Sequence, residues 1–196
     1  MSEWWTYRPS DFLMFSGRTW ERVVQGWNES LWPAQVLLLV LALGLVAAAA
    51  HDGRRHARWI LAVLAAGWAF VGWAFHAQRF AEVNTAAGWL AVAFGLQAVA
   101  LGFAAAASPA ALPAAGGRGS GLALAAVAAG GYPLATVFLR GSGSQAEVAL
   151  AFPDPTALLT VGLLLALPLR ARAALLAIPL LAVLVGAITA WLLWAG

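Results

Sequence analysis

Cysteine and lysine are both absent from this chain of 196 residues. Without a thiol there is no disulfide, no thiolate metal ligand and no thiol redox centre. Without a lysine amine there is no Schiff base, so retinal-type chemistry is excluded. All eleven basic residues are arginine, and alanine is abundant, a usage that fits a GC-rich bacterial genome. Charge is scarce as well, at 10% of residues against 63% hydrophobic. Soluble domains carry roughly a quarter charged residues. With a mean hydropathy of +0.83, the chain reads as an integral membrane protein. The formal charge is only +3 and the arginines are dispersed among loops. Membrane topology accounts for them, and nucleic acid is not expected as a partner.

The apolar runs predict an all-α, polytopic bundle of six transmembrane helices, at about 31–50, 59–75, 86–107, 121–139, 155–169 and 173–194. The fifth is short and needs thinned bilayer or shielding by its neighbours. Residues 1–30 form a separate N-terminal segment, and 31–196 the transmembrane domain. That first segment has no continuous apolar core of the kind a cleaved signal peptide carries. From Trp20 its apolar positions are Trp20, Val23, Val24, Trp27 and Leu31, with polar residues between them. This helical spacing predicts an amphipathic helix lying in the membrane interface. Trp4, Trp5, Trp32, Trp59, Trp73, Trp89, Trp191 and Trp194 fall near span ends, where amphipathic aromatics collect. Residues 108–120 read as a flexible loop. No internal repeat is evident, which disfavours an inverted-repeat transporter.

Alternate loops carry the arginines. Arg54, Arg55 and Arg58 follow span one, Arg118 precedes span four, and Arg170 and Arg172 precede span six. These loops belong to the cytoplasmic side of a bacterial inner membrane, which leaves both termini extracytoplasmic.

The stretch "FHAQRFAEVNTAAGW" concentrates polar groups between two apolar runs. With Asp154 it yields a candidate outer-face polar cluster of His76, Arg79, Glu82, Asn84 and Asp154. His76 and Arg79 share one helix face, as do Arg79 and Glu82, which are spaced to pair. The plainer reading is an interfacial corner between two spans. Asp154 suits an N-cap, with Pro155 at the first helical position. A second candidate is the broken helix at Gly130, Gly131, Tyr132 and Pro133. Pro133 lacks an N–H and crowds the carbonyl of Ala129, and the glycines permit close approach by another helix. His51, Asp52 and His56 form a weak metal candidate, because histidines five positions apart do not have the helical ligand spacing of four. All three histidines lie at span ends, which disfavours haem. No cofactor is expected. No ionisable group sits mid-span, which disfavours pumps and proton-coupled carriers.

Several motifs together resemble a bacterial family of multi-span membrane proteins of unknown function. They are "NESLWPAQ" from Asn28, "FAEVNTAA" from Phe80, "GYPL" from Gly131, "PDPTALLTVGLLL" from Pro153 and "IPLLAVLVG" from Ile178. The resemblance covers Asn28 to the end and marks Trp32, Pro33, Gln35, His76, Asn84, Tyr132, Pro133, Pro153, Pro155 and Gly162. It implies no activity. The family's cysteine between the two prolines is Asp154 here, which removes a soft-metal ligand. Its proline after Asn84 is Thr85 here.

The resulting expectation is a non-enzymatic accessory or scaffolding subunit of a larger inner-membrane complex, with the lipid bilayer and other membrane subunits as partners. Small residues in spans one, three, four and six suit tight helix contact. The alternative is a channel or facilitator for a small solute or ion that uses the outer-face cluster. A quinone or lipid site beneath the tryptophans is a third. The arginine distribution generates a topology test. Single cysteines at Gly117 and Ala171 should be shielded from an impermeant thiol reagent in intact cells, whereas one at Ser144 should label. The reverse pattern would invert the orientation.

Overall fold

The computed structural model describes residues 13–107, 117–170 and 172–194. Trp4, Trp5 and most of the loop 108–120 lie outside the described residues. Six helices follow in order: α1 Gly17–Leu31, α2 Ala34–Glu82, α3 Ala87–Ala106, α4 Arg118–Arg140, α5 Pro153–Ala166 and α6 Arg172–Trp194. Four of them, α2, α3, α4 and α6, are long and apolar enough to cross a membrane. Their outward residues suit lipid: Leu37, Trp59, Trp73, Trp89, Phe103, Phe138 and Trp191 are all more than half exposed.

The first two expected spans lie within α2, a single helical run of 49 residues. Its backbone breaks at Asp52, where φ is −148° and ψ is 83°. The Asp52 carboxylate accepts from Arg55 N–H at 3.0 Å, an N-cap for the second half. The first half ends on the carbonyls of Ala49 and Ala50, both of which accept from the Arg118 guanidinium. The halves face each other across a cavity that brings Leu38 and Leu41 to Val63, Ala66, Gly67 and Phe70. Early residues thus meet late ones, as in an antiparallel hairpin that turns at Asp52.

The expected fifth span is α5, only 14 residues long. At 1.5 Å per residue it reaches about 21 Å, against about 30 Å for a bilayer core. It is apolar on all sides and buried along nearly its whole length. A helix of that kind belongs in the interior of a protein, and its neighbours shield it here. The closest of these is α4. A β-carbon built on Gly121 would sit 2.6 Å from the Gly162 carbonyl, and one on Gly162 would sit 2.5 Å from Ala125 N. Two backbones can approach this closely only across glycine. The tight approach predicted at Gly130 and Gly131 is therefore made instead at Gly121 and Gly162. Gly130 merely touches Leu43 at 3.7 Å, and Gly131 touches only its own Val127.

α1 occurs where the periodicity placed it, started by Ser16, whose hydroxyl accepts from Thr19 N–H. Its apolar face covers protein rather than lipid. Trp20, Val23, Val24 and Trp27 are buried, and Trp27 Nε1 donates to the Ala151 carbonyl. Asn28 donates to the carbonyls of Ser144 and Ala146, which ties α1 to the segment 141–152. In that segment Leu150 adopts a left-handed φ of 70°. Its N–H donates to Thr156 Oγ1 at 2.7 Å, and its side chain lies over Gly67, where a β-carbon would collide. Burial and that hydrogen bond offset a conformation that costs a non-glycine residue about 1–2 kcal/mol.

The contacts divide the bundle into two ends. One carries the Asp52 turn, the start of α4 and the α5–α6 junction, where Gly53 meets Leu167 and Arg172 donates to the Leu165 carbonyl. The other carries α1, the end of α2, the segment 141–152 and the start of α5.

The α4–α5 contact predicts a sharp contrast between glycines. Gly162→Leu forces the two backbones apart and should cost at least about 1–3 kcal/mol, the usual range for overpacking, read as a lower melting midpoint and poor recovery in mild detergent. Gly102→Leu, at a position with nothing within 4 Å, should leave both unchanged.

Candidate functional site

Two widened helical turns build the site. The final part of α2 is a π-helix, Val71–Arg79, and α4 contains a second, Val127–Gly131. A π turn inserts an extra residue and re-aims the side chains after it, and such turns recur at functional sites. The first is seated against α3, where a β-carbon on Gly72 would lie 2.9 Å from Phe94 Cβ. The second lets Tyr132 N–H reach the Val127 carbonyl, five residues back. The expected break at Pro133 is thus absorbed as a bulge in a continuous helix.

His76 leaves the first π segment and Tyr132 follows the second. Both line a cavity of about 90 Å³ whose other polar walls are Arg140, Glu147, Asp154 and Thr189. Trp20, Phe80, Phe94 and Leu90 supply apolar surface, and Ala182, Val185, Gly186 and Ala190 of α6 close it. His76 is 2% exposed, and neither of its ring nitrogens has a hydrogen-bond partner. Its ring packs against Phe94, with centroids 4.6 Å apart. Buried imidazole nitrogens are ordinarily paired, and this unpaired ring stands in the wall of the cavity.

Asp154, at the start of α5, is half-buried. The Tyr132 hydroxyl donates to its Oδ2 at 3.4 Å, a long contact. Its carboxylate rests against the α-carbon of Gly186, where any β-carbon would collide with it. Glu147, from the segment 141–152, is 2% exposed, and its Oε1 lies 2.6 Å from Arg140 Nη1. That nitrogen lacks the alignment of a hydrogen bond, so the contact is Coulombic. Trp20 Nε1 donates to the same oxygen at 3.3 Å, and Glu147 N–H donates to Thr136 Oγ1. Burial raises the Glu147 carboxyl above its ordinary 4.5, against the opposing pull of Arg140 and Trp20.

The expected outer-face cluster therefore divides. His76 and Asp154 share the cavity. Arg79 instead lies over Gly26 of α1, where a β-carbon would collide with its guanidinium. Glu82 is exposed, and no Arg79–Glu82 pair is formed; an ion pair joins Arg140 and Glu147 instead. Asn84 accepts from Ala86 N–H through Oδ1, a turn ahead of α3. Of the broken-helix candidates only Tyr132 reaches the cavity. The weak metal candidate does not assemble, because no three ligands converge among the described residues. Asp52 caps a helix, and His56 Nδ1 lies 2.8 Å from the Asp52 carbonyl. Sequence reasoning gave Trp20, Arg140 and Glu147 no place in the site. The available signals were an opposite-charge pair flanking "GSGSQA" and a tryptophan on the apolar face of α1.

The ion pair predicts two stability effects. Glu147→Ala strands the Arg140 charge and should destabilise by about 3–5 kcal/mol, whereas Arg140→Met combined with Glu147→Leu should recover most of that loss. A carboxyl raised in the folded state keeps its proton to higher pH than in the unfolded state. Its stabilising contribution is complete below the ordinary value and is lost as pH rises through the raised one. The wild-type melting midpoint should therefore decline above about pH 4.5, with a slope that Glu147→Gln flattens.

No curated protein and no solved structure matches this chain. A family model described as a family of unknown function, DUF6064, matches residues 18–195 and so takes in α1, both π segments, the cavity and α6. The chain belongs to DUF6064.

Proposed function

We propose that this protein is a non-enzymatic facilitator of the bacterial inner membrane, which holds a small polar solute in the cavity between His76 and Asp154. One observation carries the reading: a buried imidazole with both nitrogens unpartnered shares a cavity with a carboxylate that receives only one long hydrogen bond. Burying such groups without partners costs free energy. An occupant with complementary donors and acceptors removes that cost.

The membrane arrangement is part of the proposal. A straight helix of 49 residues would reach about 74 Å, far beyond a bilayer core of about 30 Å. The hairpin at Asp52 makes α2 two crossings. With α3, α4 and α6, and with α5 enclosed between them, the chain passes six times. The arginines Arg54, Arg55, Arg58, Arg118, Arg170 and Arg172 then gather at one end, which is cytoplasmic by the usual bias. The cavity lies toward the opposite, extracytoplasmic end, beneath α1, and both termini lie on that side.

The accessory-subunit reading rests on a different observation. Gly88, Gly95 and Gly102 recur every seven residues along α3, and each opens into free space. That spacing suits close packing of a further helix. Disulfide trapping through single cysteines at Val92 or Val99, both exposed, reports such a neighbour.

Facilitation is tested in proteoliposomes by stopped-flow swelling with glycerol, urea and methylammonium chloride. Wild type should accelerate the entry of at least one of them over protein-free vesicles. His76→Gln and Asp154→Asn should each reduce that rate at least about tenfold, the effect of about 1.4 kcal/mol. Rates equal to those of empty vesicles for all three solutes would overturn facilitation.

A further inference from the structure

The charges around the cavity do not balance. Arg140 and Glu147 face each other at 2.6 Å and cancel. Asp154 forms no ion pair among the described residues, although Arg140 lines the same cavity, and the hydrogen bond it accepts comes from the Tyr132 hydroxyl. With these groups ionised and His76 neutral, the cavity carries one uncompensated negative charge. In an apolar enclosure such a charge is costly, and its field is screened far less than in water. An anionic occupant is repelled, a neutral one leaves the charge unmet, and a cation meets it.

The rest of the wall selects among cations. A divalent metal needs several oxygen or nitrogen ligands, and no group of three converges among the described residues. The donors of an ammonium group match the acceptors present: the Asp154 carboxylate, an unpartnered His76 ring nitrogen and the Tyr132 hydroxyl oxygen. Aromatic rings of Trp20, Phe80 and Phe94 border the same space, and aromatic faces attract cations. About 90 Å³ admits only a few heavy atoms, a volume several times that needed for one water. Gly186 keeps the recess open, because a side chain there would collide with the Asp154 carboxylate.

We infer that the cavity binds a small primary alkylammonium ion, with Asp154 as its counter-charge, His76 and Tyr132 as acceptors, and the aromatic wall around its short apolar tail. The inference rests on reading the cavity as a solute site and names the class of that solute.

Calorimetric titration of the full chain in phosphatidylcholine nanodiscs tests it, with n-butylammonium, n-butanol and n-butyrate as probes and empty nanodiscs as the partition control. Butylammonium should bind saturably and at least about tenfold more tightly than the other two, with Asp154→Asn weakening it at least about tenfold. Gly186→Val, which fills the recess without removing a charge, should also abolish binding. If Asp154→Asn does not fold, ¹⁵N resonances of labelled histidine in wild type take its place: the His76 ring should shift with butylammonium and not with butanol. Tighter binding of butanol or butyrate would overturn the cation class and leave the solute-site reading standing. Undiminished butylammonium binding by Asp154→Asn, or an unmoved His76 resonance, would overturn it too. If no probe binds but the vesicles still swell, the class fails and facilitation stands. If neither occurs, both fail.

Discussion

A fourteen-residue apolar helix is shorter than a bilayer core is thick, and its ends cannot be left in hydrocarbon with unsatisfied backbone groups. Enclosure of α5 is the constraint from which the rest of this structure follows. Gly121, Ala125 and Gly162 let α4 lie against it at backbone distance. Trp68 of α2 donates through Nε1 to Thr160 Oγ1, and the Thr156 and Thr160 hydroxyls return to carbonyls one turn back. The segment 141–152, folded over the start of α5, is covered in turn by α1. The apolar face of α1 is buried against protein, and its Trp27 and Asn28 bind carbonyls of that segment.

The cavity lies beside the first turn of α5, lined by Pro153 and Asp154 together with side chains of its neighbours. Two π segments aim His76 and Tyr132 into that space, and Gly186 admits Asp154. The Arg140–Glu147 pair, braced by Trp20, supports one wall and contributes no net charge. What remains is a carboxylate and an imidazole without adequate partners, the kind of arrangement that a protein retains where something else supplies the missing contacts. Position near one end of a bundle, aromatic walls and a carboxylate outside the ion pair are the features on which the proposed ammonium site rests.

Much of the architecture was legible from residue order. Hydropathy located α3, α4 and α6, the spacing of Trp20, Val23, Val24 and Trp27 located α1, and the shortness of the run after Pro155 anticipated a shielded helix. The reading that α1 faces lipid failed because an amphipathic face reports only that something apolar lies opposite it. The site was legible in part. Polar residues between apolar runs drew attention to His76, and the proline pair drew attention to Asp154. Arg79, Glu82 and Asn84 were included because they are neighbours in sequence, yet the π turn carries His76 inward while they remain at the corner. Glu147 and Arg140 had no place in that reading, since nothing in their local pattern distinguishes a buried pair from two solvated ends.

The sequence alone determined that this chain is apolar enough for membrane-spanning helices, where its apolar runs lie, which junctions carry arginine, and that thiol and Schiff-base chemistry are unavailable to it. These depend on composition and on short-range periodicity. Only the tertiary structure decided which polar side chains meet. Asp154 and His76 are 78 positions apart in the chain, and Trp20 and Glu147 are 127 apart. Contacts at that separation depend on helix rotation, on π turns that add a single residue, and on glycines placed where two backbones touch. A shift of one residue in a helix turns a side chain through about 100°, and no local pattern records that rotation.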